Sequence, residues 1–319
     1  MLSRHFLRSK VLQEVYSCQI EPKDGVTALH EFDYHIGRLN ELGILQVSLL
    51  PCMAEVAAQV MEEGKKKYFA TEEERNPNMQ LTRNEFLRRM ADNFELKKHI
   101  EKWGGCWNTH EELIREAFVD FRQQQVYIDY LALEKPTFEQ DKELAIMLFR
   151  YLMNRDAITA MLGERSLLWE DDYSQIAQYN FMMLKTLMAD SFNEAMPWPM
   201  MYDSRNEGEV EAMDFARTLL RQTLAMREES DTLVKKFLQG WEFERVATMD
   251  ILLINMAVAE LTSCPSIPEK VTVDEYIELS KEFSAERSRL FINGILDKMV
   301  AELRSQGKIN KSGRGLTTI

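Results

Sequence analysis

Turn-making residues are scarce in this chain: 13 glycines and 8 prolines serve 319 residues, where average usage would supply about twice as many. A sandwich or barrel closes a tight turn about every 8–12 residues and draws on Gly, Pro and Asn each time. That supply is missing. The good helix formers, with 19 methionines among them, carry most of the sequence. The expectation is an all-α fold.

Several functional classes lack their residues. No run approaches the roughly 18 uninterrupted apolar residues of a membrane span; Ile251–Ile254 is broken at once by Asn255. The first ten residues lack the apolar core and cleavage site of a secretory signal. Cys18, Cys52, Cys106 and Cys264 form no Cys-x-x-Cys pair, which excludes a zinc framework or disulfide scaffold and points to a reduced cytoplasm, with no membrane. No histidine follows a carboxylate by three positions, as a di-iron bundle requires. His30-Glu31 is followed by His35, one position late for a zincin pair on a shared helical face. There is no Gly-x-Gly-x-x-Gly, phosphate loop or Gly-x-Ser-x-Gly. Gly64 before Lys65-Lys66-Lys67 reads as a helix end with a solvated basic patch, and Trp169-Glu170-Asp171-Asp172 as acids opposing a helix dipole. These absences lead us to expect no catalytic residues, no metal, no cofactor and no enzyme.

Charge is unevenly placed. The net charge is −13, yet residues 1–12 hold Arg4, Arg8 and Lys10 without an acid, and residues 304–319 hold Arg304, Lys308, Lys311 and Arg314 without one. An acidic body with basic ends repels a polyanion except at those ends.

The first helix is expected from about Leu2 to Gln19, with Phe6, Leu7, Val11, Leu12 and Val15 at helical spacing. Arg4 and Arg8, four apart, then leave one face. A helical middle runs to 206, with breaks at Gly64, Glu72–Asn78, Gly104-Gly105 and Pro136, and a boundary from Pro197 to Gly208. The last hundred residues read as helices at about 209–227, 230–239, 243–263, 272–282 and 285–304. In the third, Val246, Met249, Leu253, Met256, Ala257 and Leu261 form one apolar stripe. Ile267 plugs the bundle end between Pro265 and Pro268. Gly294 lies inside the last helix, which suggests close approach by a neighbour, since a helical Gly costs about 1 kcal/mol against Ala.

One ordered pattern carries a resemblance. Trp241-Glu-x-Glu-Arg245 precedes Met249-Asp250-x-Leu252 and Ala259-Glu260-Leu261. Ile267-Pro268-x-Lys270-Val271, Asp274-Glu275-Tyr-Ile-Glu278-Leu-Ser-Lys281 and Phe283-Ser284 follow, and Ser288-x-x-Phe291-Ile-Asn293-Gly294-Ile-Leu-Asp297 closes the run. With Arg4, Arg8, Val11-Leu12-Gln13 and Tyr16 at the start, this resembles the NusB family of bacterial transcription antitermination factors, over about 1–20 and 207–304. The resemblance implies a NusB-like helical bundle built discontinuously from 1–20 and 207–304. Residues 21–206 would then be a helical insertion or second subdomain, and 305–319 a basic flexible tail.

The resemblance also implies a function. A non-enzymatic factor of this kind binds boxA-type single-stranded leader RNA together with a NusE-type small-subunit ribosomal protein, and joins the transcription elongation complex on ribosomal RNA operons. Single-stranded RNA is held by phosphate contacts and by bases stacked on aromatic or Arg planes. On that reading Arg4, His5, Arg8, Arg289 and Phe291 face RNA and Tyr16 faces the ribosomal protein. His5 stands where a second consecutive Arg is common, so a neutral imidazole would weaken one phosphate contact. Two alternatives are a scaffold that keeps the ribosomal protein without strong RNA binding, and the NusB-like domain of an RNA methyltransferase. The latter lacks its Gly-rich cofactor loop here.

Overall fold

The computed structural model describes residues 2–103, 107–192, 196–238 and 242–312. Among them every regular element is helical. In order these are α1 (Arg4–Ile20), α2 (Gly25–Lys65), α3 (Glu72–Arg75), α4 (Glu85–Asp92), α5 (Phe94–Trp103), α6 (Glu111–Phe121), α7 (Gln125–Leu131) and α8 (Phe138–Met153). They continue as α9 (Asp156–Gly163), α10 (Tyr173–Thr186), α11 (Glu207–Ala225), α12 (Arg227–Phe237), α13 (Thr248–Ser263), α14 (Glu269–Phe283) and α15 (Ser288–Ser305). The chain divides into two compact units, Met1–Ile36 with Tyr202–Ile319, and Gly37–Met201. The division falls inside α2.

In the first unit, Ser3 caps α1 by accepting from the Phe6 amide at 3.1 Å. The face of α1 bearing Leu7, Val11, Leu12 and Val15 is buried, and α1 packs on α11 and α13, far along the chain. Helix α13 departs from its expected single stripe. Every residue from Leu252 to Leu261 is buried, while Val246 and Met249, at the head of that stripe, are half-exposed. The reason is position: α1, α11, α12, α14 and α15 all pack on α13, and a surrounded helix is apolar all round. Ile267 is buried where α13 turns into α14. Gly294 reverses the expectation of a close neighbour. It is exposed, and a Cβ added there meets nothing within 4 Å.

The region expected as a flexible tail is docked as far as it is described. Gly307 takes a positive φ of 67°, the Gly307 amide donates to the Arg304 carbonyl and the Lys308 amide to the Leu303 carbonyl. That is a Schellman ending, whose left-handed position favours Gly. Lys311 Nζ then donates to the carbonyls of Glu260 (3.1 Å) and Cys264 (3.0 Å), capping the C-terminus of α13. Residues 313–319, including Arg314, lie outside the described residues.

In the second unit α8 is the centre, with α4, α6, α7, α9 and α10 packed against it. A Thr137–Gln140 capping box starts it after Pro136. Gly64 falls in the last turn of α2, and the Glu72–Asn78 break contains the single turn of α3. Gly104-Gly105 lies outside the described residues. Helix α2 qualifies the hydropathy reading: by length and mean hydropathy it could cross a membrane, but 61% of its most apolar window is buried inside the protein. Polar Arg38, Asn40 and Glu41 interrupt it, as in a core helix.

Candidate nucleic-acid and partner interface

The basic start of α1 meets three helices of its own unit. Arg8 is 2% exposed and Glu260, in the middle of α13, is fully buried. Their contact is a two-pronged fork, Nε and Nη2 of Arg8 donating to the two Glu260 oxygens at 2.8 Å each. Thr272 Oγ1 (2.9 Å) and the Tyr276 hydroxyl (3.1 Å) donate to the same carboxylate. The remaining Arg8 nitrogen, Nη1, donates to Glu275 at 3.1 Å, and the guanidinium stands 5.1 Å from the centre of the Phe215 ring. Burial opposes the Arg8 charge, but the bonds and attraction of Glu260 outweigh it and raise its pKa. Burial, then the Glu260 charge, pushes the Tyr276 hydroxyl well above its usual value. Each of the three Arg8 nitrogens makes a hydrogen bond to a carboxylate. The helical spacing suggested a surface donor; the structure makes Arg8 a core ion pair, because α13 carries a carboxylate opposite it.

Arg4, one turn earlier, is half-exposed. It pairs with Glu211 at 2.8 Å and lies 5.6 Å from the Phe215 ring centre. His5 sits between two carboxylates, Nδ1 at 2.9 Å from Glu275 and Nε2 at 3.1 Å from Glu282. Only an imidazolium donates from both nitrogens. Burial lowers its pKa, yet the two carboxylates overcome that and raise it above 6.5. His5 is therefore more cationic than a free histidine. Arg289, in the first turn of α15, is exposed and has no carboxylate partner among the described residues. Phe291, two residues on, is half-buried. The structure thus brings Arg4 and Arg8 to one ring and His5 and Arg8 to one carboxylate, while Arg289 and Phe291 stand on another helix.

The described basic groups near the C-terminus are also paired. Arg304 pairs with Glu269, Lys308 with Glu229, and Lys311 with carbonyls. Sequence reasoning missed Glu260, Thr272 and Tyr276 as partners of Arg8. The available signal was Glu260 itself, an acid inside an apolar helix, which must meet a buried cation.

Tyr16 faces a different feature. It lines a groove of about 520 Å³ with Gln19 and Ile20 of α1, the start of α13 (Ala247–Met249) and Phe283–Ala285. Ile20 is 69% exposed and Tyr16 39%. Ile20 and Tyr16 thus present apolar surface at the rim of this groove. Among the described residues no group of His, Cys, Asp and Glu could hold a metal ion.

Comparison with known proteins agrees with the C-terminal pattern. Residues 172–301 match the sequence profile of the NusB family. The match begins upstream of residue 207 and takes in α10, so it draws on both compact units. The transcription antitermination protein NusB of Salinibacter ruber is 45% identical over 103 residues, 32% of this chain and 64% of the relative. That of Chloroherpeton thalassium is 35% identical over 111 residues, 35% of this chain and 53% of the relative. The matched parts thus span less than two thirds of either relative. No solved structure matches the chain.

Proposed function

We propose, from the match of residues 172–301 to the NusB family profile, that the chain is a cytoplasmic transcription antitermination factor without catalytic activity. It binds boxA-type single-stranded leader RNA together with a NusE-type ribosomal protein and delivers both to the elongation complex. The observation that carries this reading is the profile match over residues 172–301, with relatives named for antitermination. Arg4, His5, Arg289 and Phe291 are the candidate RNA contacts, and the Tyr16–Ile20 groove the candidate seat of the ribosomal protein. Arg8 leaves the RNA list and becomes the internal tie that orients α1.

One observation shapes the division of labour. Glu211, Glu275 and Glu282 crowd Arg4 and His5, so this chain alone holds RNA weakly and the partner supplies the rest. Three cationic contacts at a slope of about −0.7 each lower log affinity by roughly two per tenfold salt. The test is titration of labelled boxA-like RNA with and without the ribosomal protein, at two salt concentrations. Arg4→Ala with Arg289→Ala weakens RNA binding, whereas Tyr16→Ala weakens the partner's contribution and leaves binding by the chain alone unchanged. By linkage, RNA strengthens the protein–protein contact by the factor the partner confers on RNA. A partner that leaves RNA affinity unchanged refutes the composite site.

A further inference from the structure

The second unit holds a polar pocket that the antitermination reading does not use. Its walls come from the turn after α3, from α4, from the α7–α8 turn and from the start of α8, and it encloses about 480 Å³. That is the size of a small-ligand site. Four cationic side chains line it: Arg83, Arg88, Arg89 and Lys135. Arg89 is spent, its Nε donating to Glu85 at 2.9 Å and Nη1 to the Ala189 carbonyl at 2.8 Å. The side chains of Arg83, Arg88 and Lys135 are exposed and have no hydrogen-bond or ion-pair partner among the described residues.

The carboxylates around them are largely satisfied elsewhere. Glu85 is held by Arg89. Asp141 is buried, with one oxygen accepting from the Glu85 amide (2.6 Å) and the other from the Tyr130 hydroxyl (2.7 Å). Asp92 lies 3.8 Å from Lys97. Only Glu134 lacks such a partner among the described residues that line the pocket. Three cations without an ionic partner thus face Glu134, which has none, and Asp141, whose two donors are neutral; the cations remain one in excess, in a protein of net charge −13. The wall is also fixed in advance, because Asn84 Nδ2 donates to the Asp141 carbonyl at 2.9 Å while its oxygen caps α4.

We propose that this pocket binds a phosphate ester, carried either by a free nucleotide or by the end of an RNA. Two guanidinium forks and an ammonium match the several oxygens of a phosphate, and a fork accepts them in pairs. The site stands independently of the RNA contacts on α1 and α15.

Calorimetric titration of the full chain tests it, with inorganic phosphate, uridine monophosphate, and a short oligouridylate with or without a 5′-phosphate. Arg83→Ala with Arg88→Ala weakens the phosphate probes by about tenfold or more, the effect of losing a charge-assisted contact. Glu134→Gln tightens the same probes, a gain that a damaged fold does not produce. Binding of the mononucleotide but not the oligomer assigns the site to a free ligand; dependence on the 5′-phosphate assigns it to an RNA end. The proposal is overturned if no probe binds the wild-type chain or if the double variant binds like wild type. It also fails if a peptide rich in Asp and Glu competes as well as the nucleotide.

Discussion

Truncating Arg8 to alanine should destabilise the first unit by about 3–5 kcal/mol, the cost of removing one member of a buried ion pair. The geometry sets that figure. Glu260 is fully buried and would lose both 2.8 Å bonds of the fork, keeping only the Thr272 and Tyr276 hydroxyls. Two neutral donors do not balance a buried carboxylate. Against a usual domain stability of about 5–15 kcal/mol, the loss is a large fraction. Replacing both partners with apolar residues, Arg8→Met with Glu260→Leu, should recover most of it, since a well-packed apolar pair is often as stable as a buried salt bridge. Arg4→Ala, at a half-exposed pair, should cost no more than about 1 kcal/mol. With two compact units a single unfolding transition is not guaranteed. The assay is therefore urea-dependent hydrogen exchange read at the α13 amides, alongside far-ultraviolet circular dichroism. If Arg8→Ala stays within about 0.5 kcal/mol of wild type, the ion pair is not the tie described, and Arg8 returns to the list of RNA-facing donors.

Other outcomes follow from single residues. The raised His5 pKa makes its stabilisation complete below about pH 6.5 and lost as pH rises through the higher folded-state value. The urea midpoint of the wild-type unit should therefore fall across that window, and His5→Gln should flatten the dependence, with imidazole titration by NMR locating the pKa. Gly294→Ala should stabilise α15 by about 0.5–1 kcal/mol, because the added methyl meets open space; a lower thermal midpoint would reveal a neighbour that the structure does not contain. Burial pushes the Cys264 thiol up to about 11, so in native protein it should react with an aromatic disulfide far more slowly than after unfolding.

What was legible in the sequence was what helices encode locally. Leu7, Val11, Leu12 and Val15 repeat with the helical period, and that period alone declares a buried face. Pro136 and the Pro265–Pro268 stretch fall between helices, where a ring without an amide hydrogen is best tolerated, although Pro51 lies inside α2. The misreadings all concern what lies across a helix–helix contact. Gly294 looked like a packing device because a glycine in a helix costs stability; only the empty space beside it removes that reason. The period predicts a single stripe on α13, and burial is wider because period cannot count how many helices surround one.

Arg8 is the instructive case for the candidate site. Spacing correctly placed Arg4 and Arg8 on one face of α1, and a phosphate-binding pair was a natural consequence. Availability, however, is decided by the opposite helix. Glu260 is a carboxylate in an apolar run, and burying it unpaired costs more than any surface contact returns. Once α1 closes on α13, Arg8 must pair with Glu260, and the same closure brings Glu275 onto His5 and Glu211 onto Arg4. The basic face is thus divided by depth. Its inner member holds the fold, and its outer members keep their charge under an acidic screen. On the proposed reading, an RNA phosphate approaching Arg4 or His5 must displace a carboxylate already in place, so the affinity of this face is set by competition rather than by the count of basic residues. If that reading holds, a partner that covers or draws away those carboxylates raises RNA affinity without adding a new contact of its own, and Glu282→Gln should mimic part of that effect on RNA binding by the chain alone.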